Sequence, residues 1–391
     1  TVFDTRPRIV SQLPHSQTDL LLFAIQGQHN DFDLSTFLQH FRRMLHARPA
    51  HFTNMQEAEF IYLVDKSLKS NEPQVEELLS SAHNLQASTN LGVLLDSSAE
   101  LLFVVVPTPS RPDHAFSHEA IDLIVEQLVS HGKQTNTKHL VINSTVMPGY
   151  CNSIKNVLNA LNYTITYNPE FIAQGTIVKD QQYPDQVLIG ESDPIATQKV
   201  EAVYKKLCKN NPQYCVMSLL SAEITKLATN CFLTTKIAFA NAIGDIAKKT
   251  MAEPEKILSA IGSDSRIGEK YFQYGFGYGG PCFPRDNRAF MHFANSIQYK
   301  MHLSESTDVS NAQHAEFLED MWKEQYGLNT PIIFDSVTYK KGTDILEESQ
   351  QLKLALSLAK QGYKVVIKES ALVVAQVKQL YPDLFSYQID E

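Results

Sequence analysis

The feature that most constrains the fold of this sequence is a regular alternation of short apolar runs with stretches of helical periodicity. The apolar runs have the length of strands and are rich in Leu, Val and Ile. Alternation with this spacing is typical of βαβ units in a mostly parallel sheet. The predicted strands are Leu20–Ile25, Leu101–Val106, His139–Asn143, Thr164–Tyr167, Gln186–Gly190, Pro331–Asp335 and Lys364–Lys368, and the clearest helices are Ala120–His131 and Ser349–Gln361.

The alternation stops at Ser221. From there to about Met251 the chain has no proline and a single glycine, and apolar side chains recur at helical spacing, which predicts one long helix. Its apolar surface is wide, which favours an all-α central domain over an isolated connector and is typical of a dimer interface. We therefore predict an α/β fold with a front α/β domain at 1–192, a central helical domain at 193–327 and a back α/β segment at 328–391.

Charge and cysteine content narrow the function classes. The formal net charge is −9 and no long run of Lys and Arg occurs, which argues against a nucleic-acid partner. The longest apolar runs are far shorter than a membrane span. Five cysteines without a close Cys-x-x-Cys pair argue against a zinc site or a disulfide framework. We therefore expect no bound metal and a reducing, cytoplasmic location.

The most specific chemical signal is the segment YFQYGFGYGGPCFPRD, which runs from Tyr271 to Asp286. Its glycines permit a ligand to approach the main chain closely, and two prolines stiffen the frame around Cys282. A free cysteine is often simply a buried apolar residue. In a loop of this composition, with Arg285 or Lys226 to favour the thiolate, Cys282 is better interpreted as a nucleophile.

Five collinear segments carry a resemblance to a known family. They are FVVVPTPS, NSTVMPG, YNPEFIAQG, AEITKLATNCFLTTKIAFAN and RIGEKYFQYGFGYGGPCFPRD, followed by YKKGTD nearer the C terminus. Together these segments resemble the UDP-glucose/GDP-mannose dehydrogenases over roughly Glu57 to Lys368. The resemblance implies a Rossmann-like NAD-binding domain at 1–192 (atypical over 1–56), a central helical dimerisation and catalytic domain at 193–327, and a partial Rossmann-like domain at 328–391 that binds the UDP part of the substrate. The resemblance implies that NAD is used twice to oxidise the C6 hydroxyl of a nucleotide sugar to a carboxylate, with UDP-glucose as the preferred substrate.

The resemblance also implies catalytic roles. Cys282 forms a thiohemiacetal and then a thioester that water hydrolyses. Lys226 and Asn230 stand four residues apart, hence on one helix face, and stabilise the oxyanion. Asp286 positions water and the lysine, and Glu170 acts as base or water activator.

Further positions are implied to bind the two ligands. Those expected at the substrate are Phe171, Arg266, Tyr271, Gly277 and Gly279. Those expected at NAD are Val106, Pro107, Thr108, Ser144, Thr145, Glu170 and Lys340, and Thr145 also orders the hydrolytic water.

The sequence departs from the family pattern at three places. It lacks the G-x-G-x-x-G fingerprint that brings a helix N terminus to the pyrophosphate of NAD. The second strand is expected near His51–Met55, which puts Asn54 or Gln56 where the family has a ribose-binding acid. Glu347 stands where an arginine is common. These departures keep open an alternative function, that of a catalytically silent homologue that binds sugar nucleotides or serves as a scaffold.

Two alternatives remain for the segment near residues 18–50. Thr18–Phe41 looks like the end of the family's third domain, so that a rearranged chain would complete the back sheet. The other alternative, which we favour, is a degenerate first βαβ unit with Leu20–Ile25 as its strand and Leu34–Ala47 as its helix. Pairing of that strand with Pro331–Asp335 instead of Leu101–Val106 would overturn it.

Overall fold

A computed structural model of the chain describes residues 91–389 and, as backbone, the strands at 22–25, 60–62 and 85–87. The chain divides into two compact units, of which the first ends at Ile224 and the second begins at Thr225. A short stretch, Pro112–Ala115, groups with the second unit.

The first unit contains an eight-stranded sheet. Its strands are β1 (Leu22–Ile25), β2 (Phe60–Tyr62), β3 (Leu85–Ala87), β4 (Leu101–Val104), β5 (Lys138–Ile142), β6 (Tyr163–Tyr167), β7 (Gln186–Glu191) and β8 (Gln213–Ser218). The strand order is β3–β2–β1–β4–β5–β6–β7–β8. β4, β5 and β6 are parallel neighbours, and β7 and β8 form a second parallel pair that meets β6 antiparallel.

Helices follow the strands of this sheet. They are α1 (Leu91–Leu95), α2 (Glu119–His131), α3 (Tyr150–Ala160), α4 (Ile177–Gln182) and α5 (Pro194–Leu207). Every residue of β4 and β5 is buried, as is typical of strands that helices cover on both faces. The two polar residues that begin β5, Lys138 and His139, are hydrogen-bonded. Since α5 and β8 also belong to this unit, it continues past residue 192, where the predicted front domain ends.

The position of β1 decides between the two alternatives for the N-terminal segment. β1 pairs antiparallel with both β2 and β4, with Leu22 opposite Val104. It therefore lies in the first sheet, as the degenerate-unit alternative requires. Its direction differs from that of a first strand in a doubly wound unit, which runs parallel to its neighbours. The predicted helix Leu34–Ala47, the strand near His51–Met55 and the residues Asn54 and Gln56 lie outside the described residues.

The second unit combines helices with a small sheet. Its helices and strands are α6 (Leu219–Lys249, shared with the first unit), α7 (Pro254–Gly262), α8 (Phe283–Ser296), α9 (His302–Gln325), β9 (Ile332–Phe334), α10 (Gln350–Lys360), β10 (Val365–Glu369), α11 (Ala371–Leu380) and β11 (Ser386–Ile389). The long helix predicted from Ser221 is confirmed as α6. The sheet is parallel in the order β11–β10–β9, so the predicted fold class is confirmed. The central and back domains, predicted as separate, group here as one unit.

Two features are absent from the described residues. None of their helices is long and apolar enough to span a membrane. They also contain no group of three or more His, Cys, Asp or Glu side chains that could hold a metal ion.

Candidate active site

Cys282 lies directly before the first residue of α8, in the N-cap position. The backbone N–H of Asp286 donates to the Cys282 carbonyl over 2.8 Å and closes the first turn of the helix. Pro284 fits this turn because the first helical residues need no amide donor. Cys282 is exposed, so a ligand at the surface of this unit can reach the sulfur. The positive end of a helix dipole favours a thiolate at such a position.

Three of the other predicted catalytic residues gather around this end of α8. The Asp286 carboxylate is buried and accepts a hydrogen bond of 2.6 Å from Nδ2 of Asn230 on α6. Arg285 Nε lies 3.4 Å from the other oxygen of Asp286. Lys226, one turn before Asn230 on α6, is also buried. The structure therefore brings Cys282, Asp286, Asn230 and Lys226 together, and their catalytic roles stay predictions.

The charges around Cys282 act in opposite directions on its thiol. Atoms packed against the sulfur are the largest influence, and this burial raises the pKa of the thiol above its ordinary value although one face of the residue is exposed. Arg285 and Lys226 lower the pKa, whereas Asp286 and Glu347 raise it. Because the net shift is upward, the thiol is protonated at neutral pH, and its attack on a carbonyl requires a proton acceptor.

Glu347 places a carboxylate near the nucleophile at the position where the resemblance leads one to expect an arginine. Burial and the neighbouring Glu348 raise the pKa of Glu347, while Arg285 lowers it. Glu347 therefore lacks the positive charge of the expected arginine, and it also adds a negative charge that disfavours the Cys282 thiolate.

The loop before Cys282 is shaped by side chains from two helices. We call residues Tyr274–Gly280 the glycine-rich loop. Asn241 on α6 accepts a hydrogen bond from the N–H of Gly275 over 3.1 Å. Asn311 on α9 binds the main chain of Tyr278 at two points, accepting from its N–H and donating to its C=O, each over 3.0 Å. These two side-chain amides satisfy main-chain N–H and C=O groups of the loop, as a neighbouring strand does in a sheet.

The structure gives an intramolecular reason for the glycines of this loop. A Cβ atom on Gly277 would lie 2.3 Å from Oδ1 of Asn311, and one on Gly279 would lie 2.3 Å from the Glu348 carbonyl oxygen. Gly280 has φ +80°, a conformation that favours glycine. The sequence alone predicts that these glycines admit a ligand. Part of the space that they leave is filled by the chain's own atoms.

The other predicted ligand-binding residues of this unit lie at the surface. The Tyr271 ring is exposed and contacts Phe283, the residue after Cys282, edge to face at 6.0 Å. Arg266 is exposed and its guanidinium forms a salt bridge of 2.6 Å with Asp264. Lys340 is exposed, and its carbonyl accepts hydrogen bonds from the hydroxyls of Thr338 and Thr343. Of these three residues, Tyr271 is the one whose ring contact places it at the N terminus of α8, next to Cys282.

Five of the predicted cofactor residues, Val106, Pro107, Thr108, Ser144 and Thr145, lie on two loops at the carboxyl ends of β4 and β5 in the first unit. The Ser144 hydroxyl accepts from the N–H of Val106 and donates to its C=O, both over 2.8 Å. The Thr108 hydroxyl donates to the Thr145 carbonyl over 2.7 Å. Pro107 lies between these attachment points and is half-buried. The two loops therefore form one hydrogen-bonded edge of the sheet.

Glu170 and Phe171 follow β6 in the same unit. The Glu170 carboxylate lies 3.2 Å from the hydroxyl of Tyr204, which also contacts Asn168 at 2.8 Å. Phe171 packs partly buried against the core of this unit. Both residues line a cavity of about 20 Å³, which is large enough for one water molecule.

A buried carboxylate that the sequence analysis did not single out supports the loop after β5. Glu223 is fully buried and accepts hydrogen bonds from the N–H groups of Gly149 at 2.6 Å and Cys151 at 2.9 Å. These are the first free amides of α3, where a negative charge is favourable. Glu223 lies within the matched segment AEITK, but no local pattern indicates that its partner is a helix about 70 residues earlier.

Two sequence models of one family match the chain. The model described as "UDP-glucose/GDP-mannose dehydrogenase family, NAD binding domain" matches residues 54–208. The model described as "UDP-glucose/GDP-mannose dehydrogenase family, central domain" matches residues 220–313. Cys282, Lys226, Asn230 and Asp286 fall within the second match, and Glu170 falls within the first.

Individual relatives agree with these matches. A UDP-glucose 6-dehydrogenase of Pseudomonas aeruginosa is 28% identical over 308 residues, covering 75% of this chain and 67% of the relative. One of Rickettsia bellii is 30% identical over 276 residues, covering 68% and 62%. The chain thus spans about two thirds of the length of these curated relatives. The solved structure of a UDP-glucose dehydrogenase from Pyrobaculum islandicum has a TM-score of 0.73 at 26% identity, covering 82% of this chain and 75% of that one.

Proposed function

Because the chain belongs to the UDP-glucose/GDP-mannose dehydrogenase family, we propose that it is an NAD-dependent nucleotide-sugar 6-dehydrogenase whose preferred substrate is UDP-glucose. The observation that carries this proposal is the cluster at the N terminus of α8. There an accessible cysteine lies beside a buried lysine and an amide–carboxylate pair. A covalent route from alcohol to carboxylate needs a nucleophile of this kind to hold the intermediate aldehyde.

The residues of the second unit fit the chemistry of the covalent step. The sulfur of Cys282 adds to the C6 aldehyde, and negative charge develops on the carbonyl oxygen as the carbon–sulfur bond forms. The thiol proton ends on that oxygen, which gives a neutral thiohemiacetal. The Lys226 ammonium stabilises that oxygen, together with the amide hydrogen that Asn230 does not use toward Asp286. Oxidation of the resulting thiohemiacetal gives a thioester, and water releases the carboxylate and restores the thiol.

The loops after β4 and β5 fit the proposed dinucleotide. They lie at the carboxyl ends of adjacent parallel strands, the edge of a Rossmann sheet where dinucleotides bind. Their hydroxyl contacts hold Val106, Thr108, Ser144 and Thr145 in one rigid edge, so these residues and Pro107 would hold NAD. When bound, NAD supplies the hydride acceptor for each of the two oxidations. We assign activation of the hydrolytic water to Glu170, whose carboxylate is oriented by Tyr204.

The test is the appearance of NADH absorbance when the purified chain receives NAD and UDP-glucose, with GDP-mannose as a second substrate. We expect two reduced cofactors per sugar and complete loss of turnover in Cys282→Ala. Cys215→Ala is the matched control, because Cys215 is a partly exposed cysteine on β8 and should leave turnover intact. No reduction with either sugar nucleotide, combined with no NAD binding by calorimetry, would favour the catalytically silent homologue.

We also propose that the chain forms a homodimer through α6. Phe232, Phe239 and Ile246 are exposed on this helix and stand seven residues apart, which places them on one face. Light scattering after size-exclusion chromatography should show a dimer. Phe232→Glu should convert the dimer to a monomer, whereas the matched change Leu123→Glu, at an exposed leucine of α2, should not. A wild-type monomer at micromolar concentration would refute the proposed dimer.

We further propose a cytoplasmic location. All five cysteines are free, and free thiols persist in a reducing compartment. Fractionation of cells that express the tagged chain should recover it with cytoplasmic markers, and recovery outside the cytoplasm would contradict the proposed location.

A further inference from the structure

His314 joins α9 to the glycine-rich loop through both of its ring nitrogens. Nε2 lies 2.6 Å from the carbonyl oxygen of Gly275. Nδ1 lies 2.9 Å from each oxygen of the Asp245 carboxylate on α6. The side chain is 2% exposed, so water does not compete for these contacts. A carbonyl and a carboxylate are both acceptors, and therefore both ring nitrogens must donate, which only the imidazolium form does.

The surroundings of this ring stabilise a positive charge. Asp245 is the nearest anion and also accepts a hydrogen bond of 3.0 Å from the Tyr274 hydroxyl. The Tyr274 ring contacts the His314 ring edge to face at 5.6 Å. The Nζ atom of Lys248 on α6 lies 5.9 Å from the centroid of the Tyr274 ring. A hydrogen bond donated by a charged group is stronger than one between two neutral groups, so His314 holds the Gly275 carbonyl firmly.

The point of attachment matters for the loop that leads to the nucleophile. Gly275 has its N–H bound by Asn241 and its C=O bound by His314, so both of its backbone groups are fixed. Asn241 also donates to the Phe276 carbonyl over 3.4 Å, and Asn311 binds the main chain of Tyr278. Gly277 lies between these two anchors, and Gly279 follows them directly. The anchors thus determine where the main chain before Cys282 runs.

We propose that His314 is a positioning residue: its imidazolium fixes the main chain of the glycine-rich loop in the conformation that receives the sugar nucleotide. This inference rests on the proposed function for the identity of the ligand, although the fixing of the loop does not. His314 contacts the loop at Gly275 and Tyr274 and acts on the ligand through these two residues. Its loss should therefore weaken sugar-nucleotide binding and leave the NAD side unaffected.

Hydrogen–deuterium exchange tests the fixing of the loop in the full chain without ligand. In His314→Gln the amides of residues 274–280 should exchange about ten-fold faster or more, since one charge-assisted hydrogen bond is lost. His302→Gln is the matched control, because it is the same change at an exposed histidine of α9 and should leave loop exchange unchanged. Unchanged loop exchange in His314→Gln overturns the proposal, whatever the activity of the chain.

Steady-state kinetics test the consequence for the ligand. The KM for UDP-glucose should rise about ten-fold or more in His314→Gln while the KM for NAD changes less than about two-fold. Partial unfolding would instead lower kcat with both KM values unchanged, and that outcome would overturn the positioning role. His314→Arg, which keeps a cation with several donors, should restore part of the lost affinity. If His314→Gln does not fold, His314→Phe carries the same test, because its ring fills the same space and has no donor for the Gly275 carbonyl.

Different results refute the proposed enzyme activity and the proposed role of His314. A wild-type chain without activity on any sugar nucleotide refutes the proposed function, and the exchange experiment still decides whether His314 fixes the loop. An active enzyme with faster loop exchange and an unchanged KM for UDP-glucose refutes the link between the loop and the substrate.

Discussion

The contact between Gly277 and Asn311 predicts an energetic coupling in the second unit. A methyl group on residue 277 would lie 2.3 Å from Oδ1 of Asn311. Gly277→Ala must therefore displace the amide that binds Tyr278 at two points, each 3.0 Å long. Two hydrogen bonds at about 1 kcal/mol each, with about 1–3 kcal/mol of overpacking, predict a loss of about 3–5 kcal/mol of unfolding free energy.

The double substitution separates the two contributions. Asn311→Ala alone breaks the same hydrogen bonds and leaves two backbone groups of Tyr278 unpaired, which costs about 2–4 kcal/mol. It also creates the space that the extra methyl group needs. Gly277→Ala in the Asn311→Ala background should therefore cost little. The double variant should be more stable than the sum of the single changes predicts, by about 2 kcal/mol or more.

Urea unfolding followed by tryptophan fluorescence measures this coupling. The sequence contains one tryptophan, Trp322, which packs against Phe334 at 4.8 Å in the second unit, so the signal reports on the unit that carries the loop. Gly275→Ala is the control, because a Cβ there meets nothing within 4 Å, and it should cost less than about 1 kcal/mol. Additivity of the two single changes to within about 0.5 kcal/mol would refute the reasoning.

Three further predictions concern ionisable side chains. Arg285→Gln should raise the pKa of the Cys282 thiol and Glu347→Gln should lower it, measured as the pH midpoint of alkylation by iodoacetamide; shifts of the same sign would contradict the charge assignment. Burial raises the pKa of Glu223, so the folded chain retains a proton that the unfolded chain releases, and stability falls as pH rises from the unfolded pKa through the folded one. Glu223→Gln should flatten this slope by up to about 1.4 kcal/mol per pH unit in urea unfolding, and an unchanged slope would exclude Glu223 as its source. Lys138→Met should cost the first unit about 2–4 kcal/mol, because two carbonyls at 2.7 and 2.8 Å lose their donor; a thermal midpoint equal to that of the wild type would contradict this.

Elements with a strong apolar period were predictable from the sequence, and elements without one were not. The long helix was expected from Ser221 to about Met251 and runs over Leu219–Lys249, because its periodicity is unbroken by proline. β8, Gln213–Ser218, was missed although it contains a run of four apolar residues, Tyr214–Met217. None of its residues is buried, and a short apolar run does not by itself distinguish a strand from a helix.

The candidate site was predictable where its residues stand close together in the sequence. Cys282 and Asp286 lie in one loop and helix start, and Lys226 and Asn230 lie one helical turn apart, so their spacing indicated a shared location. The residues that shape the glycine-rich loop were missed. Asn311 and His314 lie on a mostly polar stretch of α9, where the sequence gives no sign that an amide or imidazole points toward a distant main chain.

The side chains that hold the glycine-rich loop limit what transplantation of this segment could achieve. The side chains that hydrogen-bond to the main chain of this loop stand 33 to 39 residues away from it in the sequence. Grafting residues 274–282 onto another protein would transfer the thiol but not the conformation. A graft that keeps the loop conformation therefore needs the segment together with Asn241, Asn311 and His314. In related sequences we expect these three residues to change together with the glycines of the loop.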